Sequence, residues 1–176
     1  MKRAGLIAGF ITGLALLLSN DAVAEPASIL VPFQIQDQHD ALHTDRRFAG
    51  AALLAVWGDR KGSEFMKPWS LLLTNSLQSE IQGYRVRRLN VGHVEGAPFF
   101  VKGRIKNEFR QDWPEPILLD WSGLFDRTYD CADDSCTILL FDRRGELIRR
   151  WTVTDLEPGS LDRILEASRQ AARADK

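Results

Sequence analysis

Apolar residues follow two rhythms that alternate along this chain. Ala51 to Trp57 (AALLAVW) and Thr137 to Phe141 (TILLF) are apolar runs, the pattern of strands covered on both faces. Phe65, Met66, Trp69, Leu72, Leu73 and Leu77 instead recur at helical spacing, which predicts one helix with an apolar stripe. Pro68 is expected in its first turn, where a missing amide hydrogen costs little. Ile29 to Ile35 reads as a short extended piece that tolerates Pro32 on an edge. Tyr84 to Val91 and Pro116 to Trp121 read as strands, and Phe99 to Phe109 and Gly123 to Tyr129 as short helices. Asp142-Arg143-Arg144-Gly145 is a turn with glycine where a positive φ is expected, so Glu146 to Val153 returns as an antiparallel strand. Ser160 is the expected N-cap of a last helix lined by Leu161, Ile164, Leu165 and Ala172. Alternating strands and helices, then a hairpin and a closing helix, predict an α/β sandwich. Its central sheet is mixed, with helices on both faces.

The first 24 residues obey a different rule. Lys2 and Arg3 precede an apolar run from Leu6 to Leu18, and Ala22-Val23-Ala24 is a small-x-small cleavage pattern. This is the grammar of an export signal. The run is short for a membrane span, which needs about 20 apolar residues. Residues 1–24 are therefore expected to be a signal peptide, and the mature chain to begin at Glu25. Residues 25–176 carry no repeat, low-complexity tract or linker, and are expected to form a single domain. The expected compartment is a bacterial periplasm, with the membrane met only during export.

Charge excludes one class of partner. The chain has a formal charge of −1, which becomes −2 without Lys2, Arg3 and Asp21. Nucleic acid is not an expected partner. Arg85, Arg87 and Arg88 lie in an alternating stretch (YRVRR) that reads as a strand rather than a polyanion patch.

The candidate chemistry is sparse. The only two cysteines, Cys131 and Cys136, bracket Ala-Asp-Asp-Ser. In an oxidising compartment they are expected to pair as a structural disulfide, since the four residues between them are small or turn-forming. Asp130, Asp133 and Asp134 surround them with negative charge, which disfavours a reactive thiolate. Asp37, His39, Asp40, His43 and Asp45 are metal-ligand types within nine residues. Their spacing matches no closed site, and a polar surface turn is the simpler reading. His93 reads as an isolated loop histidine. Trp57 and Trp69 occupy core-type positions, whereas Trp113, in Asp112-Trp113-Pro114, reads as an exposed contact loop. No phosphate-binding glycine loop, nucleophile elbow or zinc-binding His-Glu-x-x-His occurs, so no cofactor is expected.

Four stretches carry a family resemblance: FQIQDQHDALHTD, FAGAALLAVWGDRKGSEFMKPW, ILLDWSGLFDRTYD and CTILLFDRRGELIRRW. In this order they resemble the thioredoxin-like superfamily, in the branch of the peroxiredoxins and the cytochrome-maturation thioredoxins. Within it, VKGRIKNEF together with the last two stretches is similar to the YtfJ-type periplasmic proteins. The resemblance implies a thioredoxin-like sandwich. Redox-active members carry their thiols after the first buried strand, at a helix N-terminus that stabilises a thiolate. Lys61 and Glu64 stand at those positions here, as an expected surface ion pair worth a few tenths of a kcal/mol. The usual cis-proline is replaced by Cys136, before Thr137, so a trans peptide is expected there. The resemblance thus implies a thioredoxin-fold protein without the usual redox motif, working by binding a periplasmic protein or small ligand. Two alternatives stay open: a thiol-disulfide oxidoreductase using Cys131 and Cys136, and a periplasmic metal carrier using His39 and His43.

Overall fold

A computed structural model describes residues 29–173; the expected signal peptide, residues 1–24, lies outside the described residues. The chain runs through β1 (Gln34–Gln36), β2 (Leu42–Thr44), a 3-10 turn (Asp45–Phe48), β3 (Ala52–Gly58), α1 (Ser63–Ser76) and α2 (Gln78–Gln82). It continues with β4 (Val86–His93), a 3-10 turn (Phe99–Val101), α3 (Lys102–Asp112), β5 (Ile117–Asp120) and α4 (Leu124–Tyr129). It closes with β6 (Cys136–Phe141), β7 (Leu147–Val153) and α5 (Pro158–Arg173).

The main sheet has the order β5-β4-β3-β6-β7. β4 is parallel to β3 and β5, while β6 is antiparallel to β3 and β7. Every residue of β3 is buried, because the strand has a neighbour on each side and a layer on each face. Ala52, Leu54 and Val56 meet Met66, Trp69 and Leu73 of α1 and Ile164 and Leu165 of α5. The alternate residues Leu53, Ala55 and Trp57 meet Phe125 and Tyr129 of α4, with Phe33 and Phe48. Period-two alternation of one strand thus serves two cores, and the expected mixed sheet with helices on both faces is present. Met66, Trp69, Leu73 and Leu77 lose all solvent contact, each such burial contributing about 1.5–3 kcal/mol. The hairpin between β6 and β7 turns at Gly145, whose φ is 84°, while Asp142 accepts from the amides of Arg144 and Glu146.

Several expectations need correction. α1 begins at Ser63, so Pro68 falls in its second turn, and its missing amide leaves the carbonyl of exposed Glu64 to water. α5 begins at Pro158, two residues before the expected cap Ser160, because proline suits the first helical position. Trp113 is buried, 6% exposed, in the core beside Ile117; it is no contact loop.

The stretch around β1 and β2 is not a surface turn either. Asp37, Gln38 and His43 are all buried. Gln38 acts as a substitute strand against β5: its Nε2 donates to the carbonyl of Glu115, and its Oε1 accepts from the amide of Ile117, both at 2.9 Å. Asp37 continues the pairing through a bridge to Leu118. β5 therefore has cover on both sides. β4 does not, for β5 pairs only with Asn90 to His93, and among the described residues no strand pairs with the outer side of Val86 to Leu89.

Candidate functional site

The carboxyl ends of β3, β4 and β5 meet at one end of the sheet, where open α/β sheets bind ligands. Gly58 closes β3 between Gly92 of β4 and Cys136 of β6. The chain then turns through Asp59-Arg60-Lys61-Gly62 into α1. Such a helix start offers free amides, but here each is taken. Gly62 donates to Asp59 Oδ1 at 2.6 Å. Ser63, Glu64 and Phe65 donate to the carbonyls of Asp59, Lys61 and Gly62.

The loop before β6 folds over this turn. Asp59 Oδ2 accepts from the amide of Asp134 at 3.1 Å, 75 residues away in sequence. Lys61 Nζ donates to Asp134 Oδ2 at 2.6 Å, so Lys61 pairs across the fold and not with Glu64, which is exposed in the first turn of α1. The hydrogen bond and charge of Asp134 hold the Lys61 ammonium above its ordinary pKa. That is the opposite of what a nucleophilic lysine needs.

The two thiols lie apart in the fold. Both are free and buried. Cys136 opens β6 and faces the layer of α1 and α5. Cys131 lies in the opposite layer with Phe125 and Tyr129, its Sγ 3.7 Å from the carbonyl of Phe125. The expected disulfide is not formed in this arrangement. Burial pushes both thiols well above their ordinary range, and the Asp126 charge adds to this at Cys131. Peptide bonds among the described residues are all trans, so Cys136 enters β6 without the cis turn that a proline brings.

Sequence reading missed a second group at the same end. His93 is the last residue of β4, not a loop residue, and its ring stands edge-on to Trp57 at 5.5 Å. His93 Nδ1 and Trp57 Nε1 are both buried without a protein partner. His93 Nε2 is 4.0 Å from Glu95 Oε2, and Glu95 Oε1 accepts from Arg127 Nη1 at 2.7 Å. Burial raises the pKa of Asp126; Asp133 and Glu95 add to this, against the opposing charges of His93 and Arg127. Trp57 and His93 stand at strand ends, Glu95 two residues beyond β4, and Asp126 and Arg127 in α4; no sequence motif joins them. In the loop beyond β4, Phe99 and Phe100 stand edge to face at 5.8 Å and are 84% and 73% exposed. Lys102 Nζ lies 4.7 Å over the ring of Trp121.

The histidine-carboxylate stretch does not converge on an ion. His43 Nε2 donates to Asp37 Oδ2 at 2.8 Å, and its Nδ1 accepts from Arg47 at 3.3 Å. Both ring nitrogens are committed, while His39 is exposed. Asp40 pairs with Lys106 and Arg110 of α3. Among the described residues no group of three or more histidine, cysteine or acidic side chains is placed to hold a metal ion.

No protein-family model matches the sequence, and no curated protein matches it. Solved structures do. A pneumococcal exposed lipoprotein thioredoxin, Etrx1 from Streptococcus pneumoniae, superposes with a TM-score of 0.60 over 78% of this chain and 99% of that one, at 19% identity. Peroxiredoxin Q from Xanthomonas campestris gives a TM-score of 0.61 over 87% and 100%, at 18% identity. A thiol:disulfide interchange protein DsbE from Chlorobium tepidum gives 0.59 over 84% and 97%, at 14% identity. The chain has the thioredoxin fold.

At these identities the likeness speaks for the fold alone. In a thioredoxin fold, the turn before α1 is where the resemblance places the thiols of redox-active members. Here that turn holds Lys61 tied to Asp134 and a helix start whose amides are already used. Among the described residues no helix is long and apolar enough to cross a membrane.

Proposed function

We propose that this chain is an exported, single-domain thioredoxin-fold protein that acts by binding a partner, not by thiol chemistry. Within the superfamily we place it with the YtfJ-type periplasmic proteins, on the stretches quoted above. The carrying observation is the start of α1. It has no thiol, its amides are occupied, and the Lys61–Asp134 pair draws the loop before β6 across it. The exposed Phe99–Phe100 pair supplies an apolar contact in the loop that leaves β4. Large exposed aromatics of this kind mark protein contacts.

Thiol-disulfide exchange by Cys131 and Cys136 is the reading this displaces. A buried thiol with a raised pKa offers little thiolate. The folded protein should react with an aromatic disulfide reagent at least about 100-fold more slowly than the guanidinium-unfolded chain. Insulin reduction and peroxide turnover should stay at background. A rate matching an ordinary thioredoxin or peroxiredoxin, lost in Cys136→Ser, would overturn the binding reading. Export rests on residues 1–24 and has its own check. Intact-mass measurement of the protein recovered from its native compartment should give Glu25 as the first residue. Retention of Leu6 to Leu18 would reject the leader.

A further inference from the structure

We propose that the Phe99–Phe100 tip docks the protein on an anionic lipid surface, which names the partner in the binding function above and rests on that reading. β4 ends at His93, and the chain crosses Gly96 and Pro98 before the 3-10 turn Phe99–Val101 and α3. Gly96 holds a φ of 75°, and the ring of Pro98 fixes its φ, −57° here, on entry to the turn. The Val101 amide donates to the carbonyl of Pro98 at 3.0 Å. The tip is therefore a short, tied turn. Its two rings are the most exposed large apolar side chains among the described residues. They meet at 5.8 Å with their planes 85° apart, so they form one convex apolar knob. The apolar residues around them turn inward: Val94, Phe109 and Trp121 pack on the core layer of α1. Phe99 and Phe100 belong to neither core layer.

Charge says what covers the knob. Residues 99–110 hold four cations, Lys102, Arg104, Lys106 and Arg110, against Glu108 alone, a net +3 in a chain of −1. Asp40 takes one of these charges by pairing with Lys106 and Arg110, which leaves +2. Lys102 is exposed, and its ammonium rests over the ring of Trp121, 4.7 Å from the centre. Glu95, the acid of the same loop, is held by Arg127 at 2.7 Å. The face behind the tip is thus basic in a chain that is acidic as a whole.

An aromatic knob with cations just behind it suits a bilayer interface. The rings enter the boundary between headgroups and acyl chains, and the cations stay among the phosphates. A fluid interface accepts two rings set nearly at right angles in any orientation, whereas a folded partner would need a pocket shaped for both. Two rings and a few cations are far short of a spanning segment, so the contact is reversible. The expectation that the membrane is met only during export gives way to a surface contact made by the folded protein.

The test is co-sedimentation of the protein recovered from its native compartment with vesicles of equimolar phosphatidylcholine and phosphatidylglycerol. Binding should appear by millimolar lipid and weaken with salt. On vesicles of phosphatidylcholine alone it should be at least about tenfold weaker, the scale of two cations near an anionic surface. Phe99→Ser/Phe100→Ser should weaken binding at least about tenfold, the scale of one buried phenylalanine. Its melting temperature should not change, since both rings are exposed. Lys102→Gln should weaken binding about fivefold. No binding at millimolar lipid in low salt, equal binding to the neutral vesicles, or unchanged binding in the serine variant would each overturn the proposal. A dimer of the lipid-free protein that is lost in the serine variant, with no vesicle binding, would overturn it by giving the tip to a second copy of the chain. Thiol activity is read separately. With insulin reduction and peroxide turnover at background, failure on vesicles removes the lipid partner and leaves the non-thiol reading standing.

Discussion

Gly62→Ala should cost about 3 kcal/mol of stability, the upper end of the overpacking range. The reason is one backbone atom. A β-carbon at Gly62 would stand 2.0 Å from the carbonyl oxygen of Ser135. Gly62 is the N-cap of α1, but its backbone is itself ordinary for alanine, with φ −57° and ψ −24°, and at a compatible conformation a glycine-to-alanine change stabilises by about 0.4–1 kcal/mol through the unfolded chain. Backbone conformation alone therefore predicts stabilisation. Sterics win because the clashing atom belongs to the main chain, held on one side by the Asp59–Asp134 hydrogen bond and on the other by the start of β6. Two other glycines make the contrast. At Gly58 the nearest atom would be the flexible sulfur of Met66, and at Gly123 the end of the Glu95 side chain. The exposed Glu95 end can swing away, although Gly123 also needs its φ of 65°; the fully buried Met66 gives less, but a side chain still yields before a main-chain carbonyl does. Urea unfolding of the three alanine variants is the measurement. Gly62→Ala should lower the midpoint most, with an unchanged slope. A Gly62→Ala protein as stable as the parent would show that the loop before β6 is free to lift from the helix start.

Why some of this was legible in the sequence and some was not follows from where each residue finds its partner. β3 and β6 announce themselves as unbroken apolar runs because they are buried on both faces. α1 shows its period because one face alone is buried. These signals are local. The buried polar residues are misread because their partners are remote. Gln38 is satisfied by groups 77 and 79 residues away, so a run of polar residues that looks solvated is in fact part of the sheet edge. Lys61 looked like the natural mate of Glu64 and is held instead by Asp134, 73 residues on. The cysteines illustrate the same limit. Four intervening residues bring two β-carbons within reach in an unstructured loop, but Asp130 and Asp134 adopt left-handed conformations, φ 50° and 56°. Cys136 is then fixed by strand alternation on the face of Ile138 and Leu140, away from Cys131. The absence of a thiol at the start of α1 was plain from the sequence. The grouping of Trp57, His93 and Asp126 was not, since it exists only where the ends of β3 and β4 meet the first turn of α4.

Asp37→Ala should cost about 3 kcal/mol, the upper end of the range for leaving a buried donor without its acceptor. The carboxylate is 3% exposed and accepts from three donors: His43 Nε2 at 2.8 Å, the His39 amide at 2.8 Å and the Ala41 amide at 3.0 Å. Alanine leaves the buried His43 Nε2 donor without an acceptor, at its full desolvation cost, while the amides of exposed His39 and Ala41 turn to water. Burial alone would raise the Asp37 pKa, but the hydrogen bond from His43, then those from the two amides, hold it below the ordinary 3.8. The sign of the pH dependence follows. A carboxyl whose folded pKa is depressed contributes stability that is fully present above its unfolded value, about 3.9. That contribution is lost as pH falls through the folded value. The gap in unfolding free energy between the parent and Asp37→Asn should therefore be constant from pH 7 to about pH 5 and shrink below about pH 4. A gap that stays constant down to pH 2, or widens there, would show that the charge of Asp37 is not what stabilises the turn. The loss should also spread. Asp37 and Gln38 are adjacent, and Gln38 is the cover on the outer edge of β5. Amide exchange at Ile117 should accelerate in Asp37→Ala beyond what the global change in stability accounts for. The neighbouring turn that carries His43, Arg47 and Phe48 loses its anchor in the same step.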